Sequence, residues 1–478
     1  MKLSSMDLSK NEIPKQVKKI HLIAVCGTGM GALASMLKDM GFEVTGSDRK
    51  MYPPMSSFLA QKGIKIADGF DRKNISSDID LVIVGNAVSK DNIEVVQTDK
   101  MGLYFCSMPQ ALNRFIAAGK KPIIIAGTHG KTTTSSILAW ILYKANLDPT
   151  FMIGGLLKNF NSNYRLGKGE HIIIEGDEYD TAYFDKGPKF LHYDPYIALL
   201  TSVEFDHADI FKNLNHVKEA FNRFLSSISQ KNTLIAFDGD KNVADLISGI
   251  KCTIEKYGLD MGSTWRLQNI SLDPSWTVFE VLKQTRIFGT FKTNLIGMHN
   301  LLNIISTIAV ADRLNIQGEV IAEALTTFQG IKRRQEIRGI KKGITVMDDF
   351  AHHPTAVKET ISAARPFYNK GRIIAVFEPR TNSSMRKVFQ TIYPSSFKSA
   401  DLICIRKPPL LEKIPPAERF SSEKLVDDLK NQGQEAYFFS NTESIIDFLV
   451  DRALPGDLIL IMSNGGFDNI HEKLLERL

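Results

Sequence analysis

Pro122-Ile-Ile-Ile-Ala-Gly-Thr-His-Gly-Lys-Thr-Thr-Thr134 joins an apolar run to a stretch of helical periodicity, and its reading decides the fold around it. Ile123, Ile124 and Ile125 are β-branched and bounded by turn formers, so residues 122–126 read as a buried strand. Residues 132–144 place Ile137, Leu138, Ile141 and Leu142 at helical spacing. A strand, a glycine turn and a helix N-terminus aim backbone N–H groups and the positive end of the helix dipole at one point, which suits a phosphate chain. Lys131 adds a point charge for the β- and γ-phosphates and Thr132 a hydroxyl ligand for magnesium. The common phosphate-loop pattern has a glycine five residues before Gly130, where this chain has Ile125, so the loop is a shortened form. The alternative is a plain strand-to-helix turn.

Composition bounds the rest. The 478 residues suggest about three domains of ordinary size. The 59 basic and 53 acidic side chains leave +6, too mild and too evenly spread to demand nucleic acid, and compatible with anionic small substrates. Cys26, Cys106, Cys252 and Cys404 are far apart with no Cys-x-x-Cys pair, so neither a disulfide framework nor a zinc site is indicated and a reducing cytoplasm is expected. The first twenty residues are polar and basic, and no apolar run reaches transmembrane length. A cytoplasmic monomer acting on small molecules, without nucleic-acid or membrane partners, is the expectation.

Three blocks of alternating strands and helices follow one another, divided as 1–120, 121–336 and 337–478. The first has strands at 20–25, 42–45 and 80–84, the second adds strands at 172–174 and 197–201, and the third has strands at 344–347, 372–377, 402–405, 436–439 and 458–462. The proline-rich residues 407–416 read as a surface loop. The fold class is α/β, with an open doubly wound unit first and another small α/β sheet last.

In the first block Gly27-Thr28-Gly29-Met30-Gly31-Ala32, followed by Ser47 and Asp48, satisfies the dinucleotide fingerprint in its Gly/Ala form. Alone it says NAD. Glycines at a helix N-terminus admit any diphosphate, so a nucleotide-diphosphate sugar fits as well. In the second block Glu175, Asp177, Glu178 and Asp180 follow an apolar run, where open α/β sheets place ligands; a solvated acidic loop is the bland reading. Glu204, Asp206, His207 and Asp209 follow the next strand, and His207 could offer imidazole to a metal held mainly by oxygen; a capping or structural histidine is the bland reading. With Thr132 these groups could hold one or two magnesium ions that neutralise a γ-phosphate in flight. Asn300 and Asn303 share a helix face and could bond an adenine edge, or be an ordinary amide pair.

Arg333-Arg334 and Asp348-Asp349-Phe-Ala-His352-His353-Pro354 complete an ordered series from which the whole chain, over about residues 18–470, resembles the Mur ligase family, the ATP-dependent amide-bond-forming enzymes of peptidoglycan synthesis. The resemblance implies three domains: a Rossmann-like N-terminal domain for a UDP-sugar, a central ATPase of phosphate-loop type, and a Rossmann-like C-terminal domain for the amino substrate. His129 in Gly-Thr-His-Gly-Lys-Thr and the Asp-Asp-aromatic-small-His-His-Pro motif resemble the branch acting directly on UDP-N-acetylmuramate. Within it, segments 48–56, 85–87, 177–186, 190–193 and 377–382 look like an enzyme that adds a recycled murein peptide; the alternative adds L-alanine.

Carried over by motif, Gly127, Thr128, His129, Gly130, Lys131, Thr132 and Thr133 hold the phosphates of ATP. Thr132, Glu175 and His207 hold Mg2+, and Asn300 and Asn303 sit near the adenine. Arg334 and Asp349 reach the nucleotide from the hinge and the C-terminal domain. Gly27, Thr28, Gly29, Met30, Gly31, Ser47, Asp48 and Asn86 line the UDP-sugar site; His352, His353 and Arg380 are peptide candidates. Where the diaminopimelate-adding ligase of the de novo pathway has Asp-Asn-Pro-Arg, this chain has Phe377-Glu378-Pro379-Arg380.

Overall fold

The computed structural model describes residues 7–49, 55–273 and 276–478, so Tyr52, Pro53 and Pro54 of the segment at 48–56 lie outside the described residues. The first sheet contains β1 (Lys19–Ile23), β2 (Glu43–Asp48), β3 (Lys65–Asp68), β4 (Leu81–Val84) and β5 (Phe105–Ser107), with α1 (Thr28–Asp39) between its first two strands. The order is β3-β2-β1-β4-β5 and all pairings are parallel. Parallel strands covered on both faces read as continuous apolar runs, and Leu81, Val82, Ile83 and Val84 are all buried. β3 and β5 were not expected; each is short and carries polar residues.

The second region contains β6 (Lys121–Ala126), α2 (Lys131–Lys144), β7 (Thr150–Leu157), β8 (Ser162–Arg165), β9 (His171–Gly176), β10 (Ile197–Leu200), β11 (Thr233–Phe237) and β12 (Thr253–Gly258). The strand order is β12-β11-β10-β6-β9-β7-β8, with β7 and β8 as an antiparallel hairpin at one edge. Ile123, Ile124 and Ile125 of β6 are fully buried, each worth about 1.5–3 kcal/mol of transfer free energy. β13 (Trp265–Leu272), β14 (Thr277–Lys283) and β15 (Arg286–Thr293) form an antiparallel meander, followed by α3 (Met298–Arg313).

The third sheet contains β16 (Glu336–Lys341), β17 (Ile344–Asp349), β18 (Ile373–Phe377), β19 (Leu402–Arg406), β20 (Glu435–Phe439) and β21 (Leu458–Met462), with α4 (Pro354–Ala364) after β17. Its order is β16-β17-β21-β18-β19-β20, parallel except for the edge strand β16. The five parallel strands match the expected positions; β16 was missed because its polar sequence hides a strand exposed on one face.

By contacts the described residues form two compact units. One runs to Val203 and takes in Lys218–Thr264 and Ser306–Ala324; the other comprises Glu204–Val217, Trp265–Ile305 and Leu325–Leu478.

Candidate active site

In the first unit the chain leaves β6 through Gly127 (φ +134) and Gly130 (φ +83) into α2. Both angles favour glycine. At Gly127 space forbids a side chain as well, because a Cβ would lie 2.1 Å from Thr201 Oγ1 and 2.9 Å from Ser202 N. That wall continues β10, the parallel neighbour of β6. The Thr128 N–H donates to the Ser202 carbonyl at 2.9 Å and the His129 N–H to Ser202 Oγ at 3.1 Å. The Thr201 hydroxyl donates to the His129 carbonyl at 2.5 Å. The loop is therefore shaped by a neighbouring strand end, and the opening N–H groups of α2 have no intrahelical acceptor, which suits them to phosphate oxygens. Thr133 sits half-buried in that first turn.

Lys131 Nζ donates to the Gly127 carbonyl at 2.5 Å and to Glu178 Oε2 at 2.9 Å; Glu178 is only 2 % exposed. The Thr132 hydroxyl donates to Glu175 Oε2 at 3.1 Å, and Gly154 N–H to Glu175 Oε1 at 2.6 Å. The register of β9 against β6 sets Glu175 beside Ile125, at the strand end next to the loop. Lys189 Nζ donates to Asp177 Oδ2 at 3.1 Å and to the Tyr179 hydroxyl at 3.0 Å. Burial would lower the Lys131 ammonium, but Glu178, Asp177 and Glu175 more than offset it and hold it above its ordinary range. Burial, with Asp177 beside it, pushes the Glu175 carboxyl up. Asp177 is held low because Lys189 and Lys131 outweigh its own desolvation. A hydroxyl and a carboxylate in contact are the hard oxygen donors that Mg2+ takes.

The other glycine turn, also in this unit, is differently built. Gly27 caps α1 in extended conformation (φ −69), and nothing lies within 4 Å of where its Cβ would stand. Asp48 Oδ2 accepts the Cys26 N–H at 2.8 Å. The Ser47 hydroxyl donates to Glu94, a buried carboxylate that also accepts the Asn74 amide at 2.6 Å. Thr28 O accepts the Asn163 amide from β8 at 3.2 Å, and Met108 lies over Gly29, 3.6 Å from its would-be Cβ. Met30 and Gly31 turn inward, while Asn86 is exposed in the turn after β4. The segment leaving the carboxylate cluster folds onto this sheet. Tyr183 and Phe184 pack against the core of Ile23, Val82, Val84 and Phe105. Asp185 accepts the Ser107 hydroxyl at 3.1 Å and pairs with His192 Nε2 at 2.8 Å.

In the second unit, Asp349 at the end of β17 accepts N–H groups of Gln335 (2.8 Å) and Ala351 (2.7 Å). Burial pushes its carboxyl up against the pull of Arg334, whose guanidinium stands 4.7 Å from the Phe350 ring centre. Asn300 Nδ2 donates to the Ile296 carbonyl at 2.8 Å and to Gln335 Oε1 at 3.0 Å. His207 sits in the left-handed region (φ +52), its N–H on Asp206 Oδ1 at 2.6 Å. Asp206 stays well below the usual carboxylate range because His207, His352 and His353 outweigh its burial.

His353 caps α4. Its Nδ1 accepts the Thr355 N–H at 3.2 Å, so Nε2 carries the hydrogen and donates to the Phe205 carbonyl at 3.1 Å. This buried ring has a task within the fold that competes with the peptide contact expected of it. Arg380 Nη1 lies 3.6 Å from the fully buried Glu378, which also takes the Ser463 hydroxyl at 2.7 Å and the Arg406 guanidinium. A Cβ at Gly465 would be 2.3 Å from Arg380 Cδ, so that side chain lies across the glycine.

Residues 19–120 match the model of the Mur ligase family catalytic domain, 125–311 that of the Mur ligase middle domain, and 333–465 that of the Mur ligase glutamate ligase domain. The chain belongs to the Mur ligase family. Against the UDP-N-acetylmuramate-L-alanyl-gamma-D-glutamyl-meso-2,6-diaminoheptandioate ligase of Haemophilus influenzae it is 37% identical over 464 residues, covering 97% of this chain and 99% of that one. It is 35% identical over 452 residues to the UDP-N-acetylmuramate-L-alanine ligase of Clostridium tetani, covering 94% and 96%. The crystal structure of a murein peptide ligase from Psychrobacter arcticus has a TM-score of 0.72 at 33% identity, covering 96% of this chain and 98% of that one.

This Mur ligase is thus a three-domain α/β enzyme that forms an amide bond with ATP as co-substrate, in peptidoglycan synthesis. Among the described residues no helix is long and apolar enough to cross a membrane. Lys131, Thr132 and Glu175 come together in one unit, and Asn300, Asn303 and Asp349 belong with His207 to the other. Thr201, Ser202, Gly154, Lys189 and Gln335 escaped the sequence reading. Only Thr201 and Ser202 had a signal, as residues just past a strand of the central sheet.

Proposed function

We propose that this Mur ligase joins the tripeptide L-alanyl-γ-D-glutamyl-meso-diaminopimelate to UDP-N-acetylmuramate, in peptidoglycan recycling. The near end-to-end match to the Haemophilus influenzae ligase carries this reading. In the reaction the muramate lactyl carboxylate attacks the γ-phosphorus of ATP, releasing ADP and forming an acyl phosphate. The α-amine of the peptide then attacks the acyl carbon, loses a proton and expels inorganic phosphate through a tetrahedral intermediate. The protein positions reactants and stabilises charge.

Lys131 neutralises phosphate oxygens, and the N–H groups of the Gly127 loop and Thr133 cradle them. Thr132, Glu175 and His207 would hold Mg2+, which supplies positive charge against the transferring phosphoryl group. Asn300 and Asn303 hold the base, Arg334 and Asp349 act on the nucleotide, the Gly27 turn with Ser47, Asp48 and Asn86 takes the UDP-sugar, and Arg380 with His352 meets the peptide. Residues 1–120, 121–336 and 337–478 are the respective domains.

The Clostridium tetani relative supports a second reading, in which L-alanine is the amino substrate. ADP release with UDP-N-acetylmuramate is to be measured with tripeptide and with L-alanine. Turnover with the tripeptide and none with L-alanine is expected, and turnover with L-alanine alone overturns the assignment. Arg380→Ala should raise the half-saturating peptide concentration about tenfold, as loss of one charge-assisted contact does; an unchanged value removes Arg380 from the peptide site.

A further inference from the structure

Three amides of the second unit are linked in one direction. Asn303 Nδ2 donates to Asn300 Oδ1 at 3.4 Å, and Asn300 Nδ2 donates to Gln335 Oε1 at 3.0 Å. The row ends at Gln335 Nε2, a buried donor that meets no acceptor among the described residues. Native folds seldom leave such a group unmet, and each case asks for an explanation.

Gln335 is also fixed where it stands. Its φ is +47, an angle that a non-glycine side chain adopts at a cost. Its main-chain N–H is fastened to Asp349 Oδ2 at 2.8 Å. Two residues earlier Arg333 is likewise left-handed (φ +63), and its guanidinium holds the carbonyls of Ser463 and Gly465 at 2.6 Å each. The amide is thus gripped through its oxygen by Asn300 and through its backbone by Asp349. The NH2 group alone remains for something outside the chain.

We propose that Gln335 is a base-reading residue of the nucleotide site, its Nε2 donating to a ring-nitrogen acceptor of the purine. The inference rests on the reading that places Asn300 and Asn303 at the adenine. The polarity of the row selects what it meets: every amide gives its N–H to the next, so the terminus offers a donor and calls for an acceptor edge. Amide side chains read purine edges by such donor and acceptor matching. The exocyclic amino group of adenine, itself a donor, is not what Gln335 meets.

The test is ADP binding by calorimetry, with Mg2+ present, on the full chain and on Gln335→Leu and Gln335→Glu, each paired with the melting midpoint of the unliganded protein. The expected result is about tenfold weaker ADP binding in Gln335→Leu, as for one lost hydrogen bond, with the midpoint within about 2 °C of the parent. Gln335→Glu, which sets an acceptor against an acceptor, should lose at least as much. ADP affinity within twofold of the parent in Gln335→Leu overturns the proposal. Weakened binding accompanied by a lowered midpoint in both variants overturns it too, since Gln335 would then be a structural prop. A parent chain that binds no ADP is a separate result that defeats the ligase reading itself.

Discussion

Two glycine turns lead from parallel strands into helices, one at Gly27 and one at Gly127, and only at Gly127 does the fold itself require glycine. At Gly127 the left-handed angle and the wall of Thr201 and Ser202 exclude a side chain before any ligand arrives. At Gly27 the angle is ordinary and the space open, so only a ligand could need the missing Cβ. The flanking charge differs in the same sense. The first turn has Asp48 engaged on a backbone N–H, whereas the second has a half-buried lysine paired with Glu178 under the added charge of Asp177 and Glu175. Under the proposed function, similar strand-turn-helix geometry would serve recognition in one place and charge neutralisation in the other.

The largest effect is expected at the lysine. Lys131→Met should lower ATP-dependent turnover about a thousandfold, the scale of a lost transition-state charge contact. It should also destabilise the protein by about 3–5 kcal/mol, because Glu178 loses a buried partner. Adding Glu178→Gln should recover the melting midpoint and none of the turnover; recovery of both would mean that the lysine is structural. Next come the glycines themselves. Gly127→Ala should cost about 2–3 kcal/mol through strain and overpacking, while Gly27→Ala should stay within about 0.5 kcal/mol of the parent and raise the KM for the UDP-sugar. Equal melting of the two variants would break the comparison.

Asp48→Ala, which removes the bond to Cys26, should cost about 1 kcal/mol and raise the UDP-sugar KM without moving that for ATP. The smallest effect lies at Asp238, just past β11. Burial and the nearby Asp260 push its carboxyl up to about 6. A carboxyl raised in the folded state contributes stability that is complete below its ordinary range near 3.8 and is lost as pH rises through about 6. Asp238→Asn should therefore flatten the dependence of the melting midpoint between pH 4 and 6, and an unchanged slope would show that Asp238 does not set it.

The contrast between the turns also marks what could be read in the chain. Ile123 to Ile125 and Gly-Lys-Thr announce a buried strand and a glycine turn into a helix because both signals are local. The parallel strands of the third sheet announce themselves as apolar runs for the same reason. β13 to β15 carry exposed polar and apolar residues in uneven alternation, and β16 is an exposed edge, so neither pattern rises above a loop. The partners of the loop were beyond reach for another reason: Thr201 and Gly154 become neighbours of Gly127 and Glu175 only through strand order and register, and Lys189 meets Asp177 only through the fold of the irregular segment between β9 and β10. Gln335 was hidden by its backbone angle, which no residue type announces.

The segment carrying Tyr183, Phe184 and Asp185 bears on how these enzymes can be recombined. It is encoded with the central sheet but completes the packing of the first one, and Asp185 joins Ser107 to His192 across that seam. A chimera cut at residue 120 would keep one half of this fit and replace the other, exposing aromatic surface and breaking the hydrogen bond from Ser107 to Asp185. The module for exchanging the first sheet between relatives is therefore discontinuous, residues 19–120 together with 180–193, and a graft that carries both should express in soluble form where the simple cut does not.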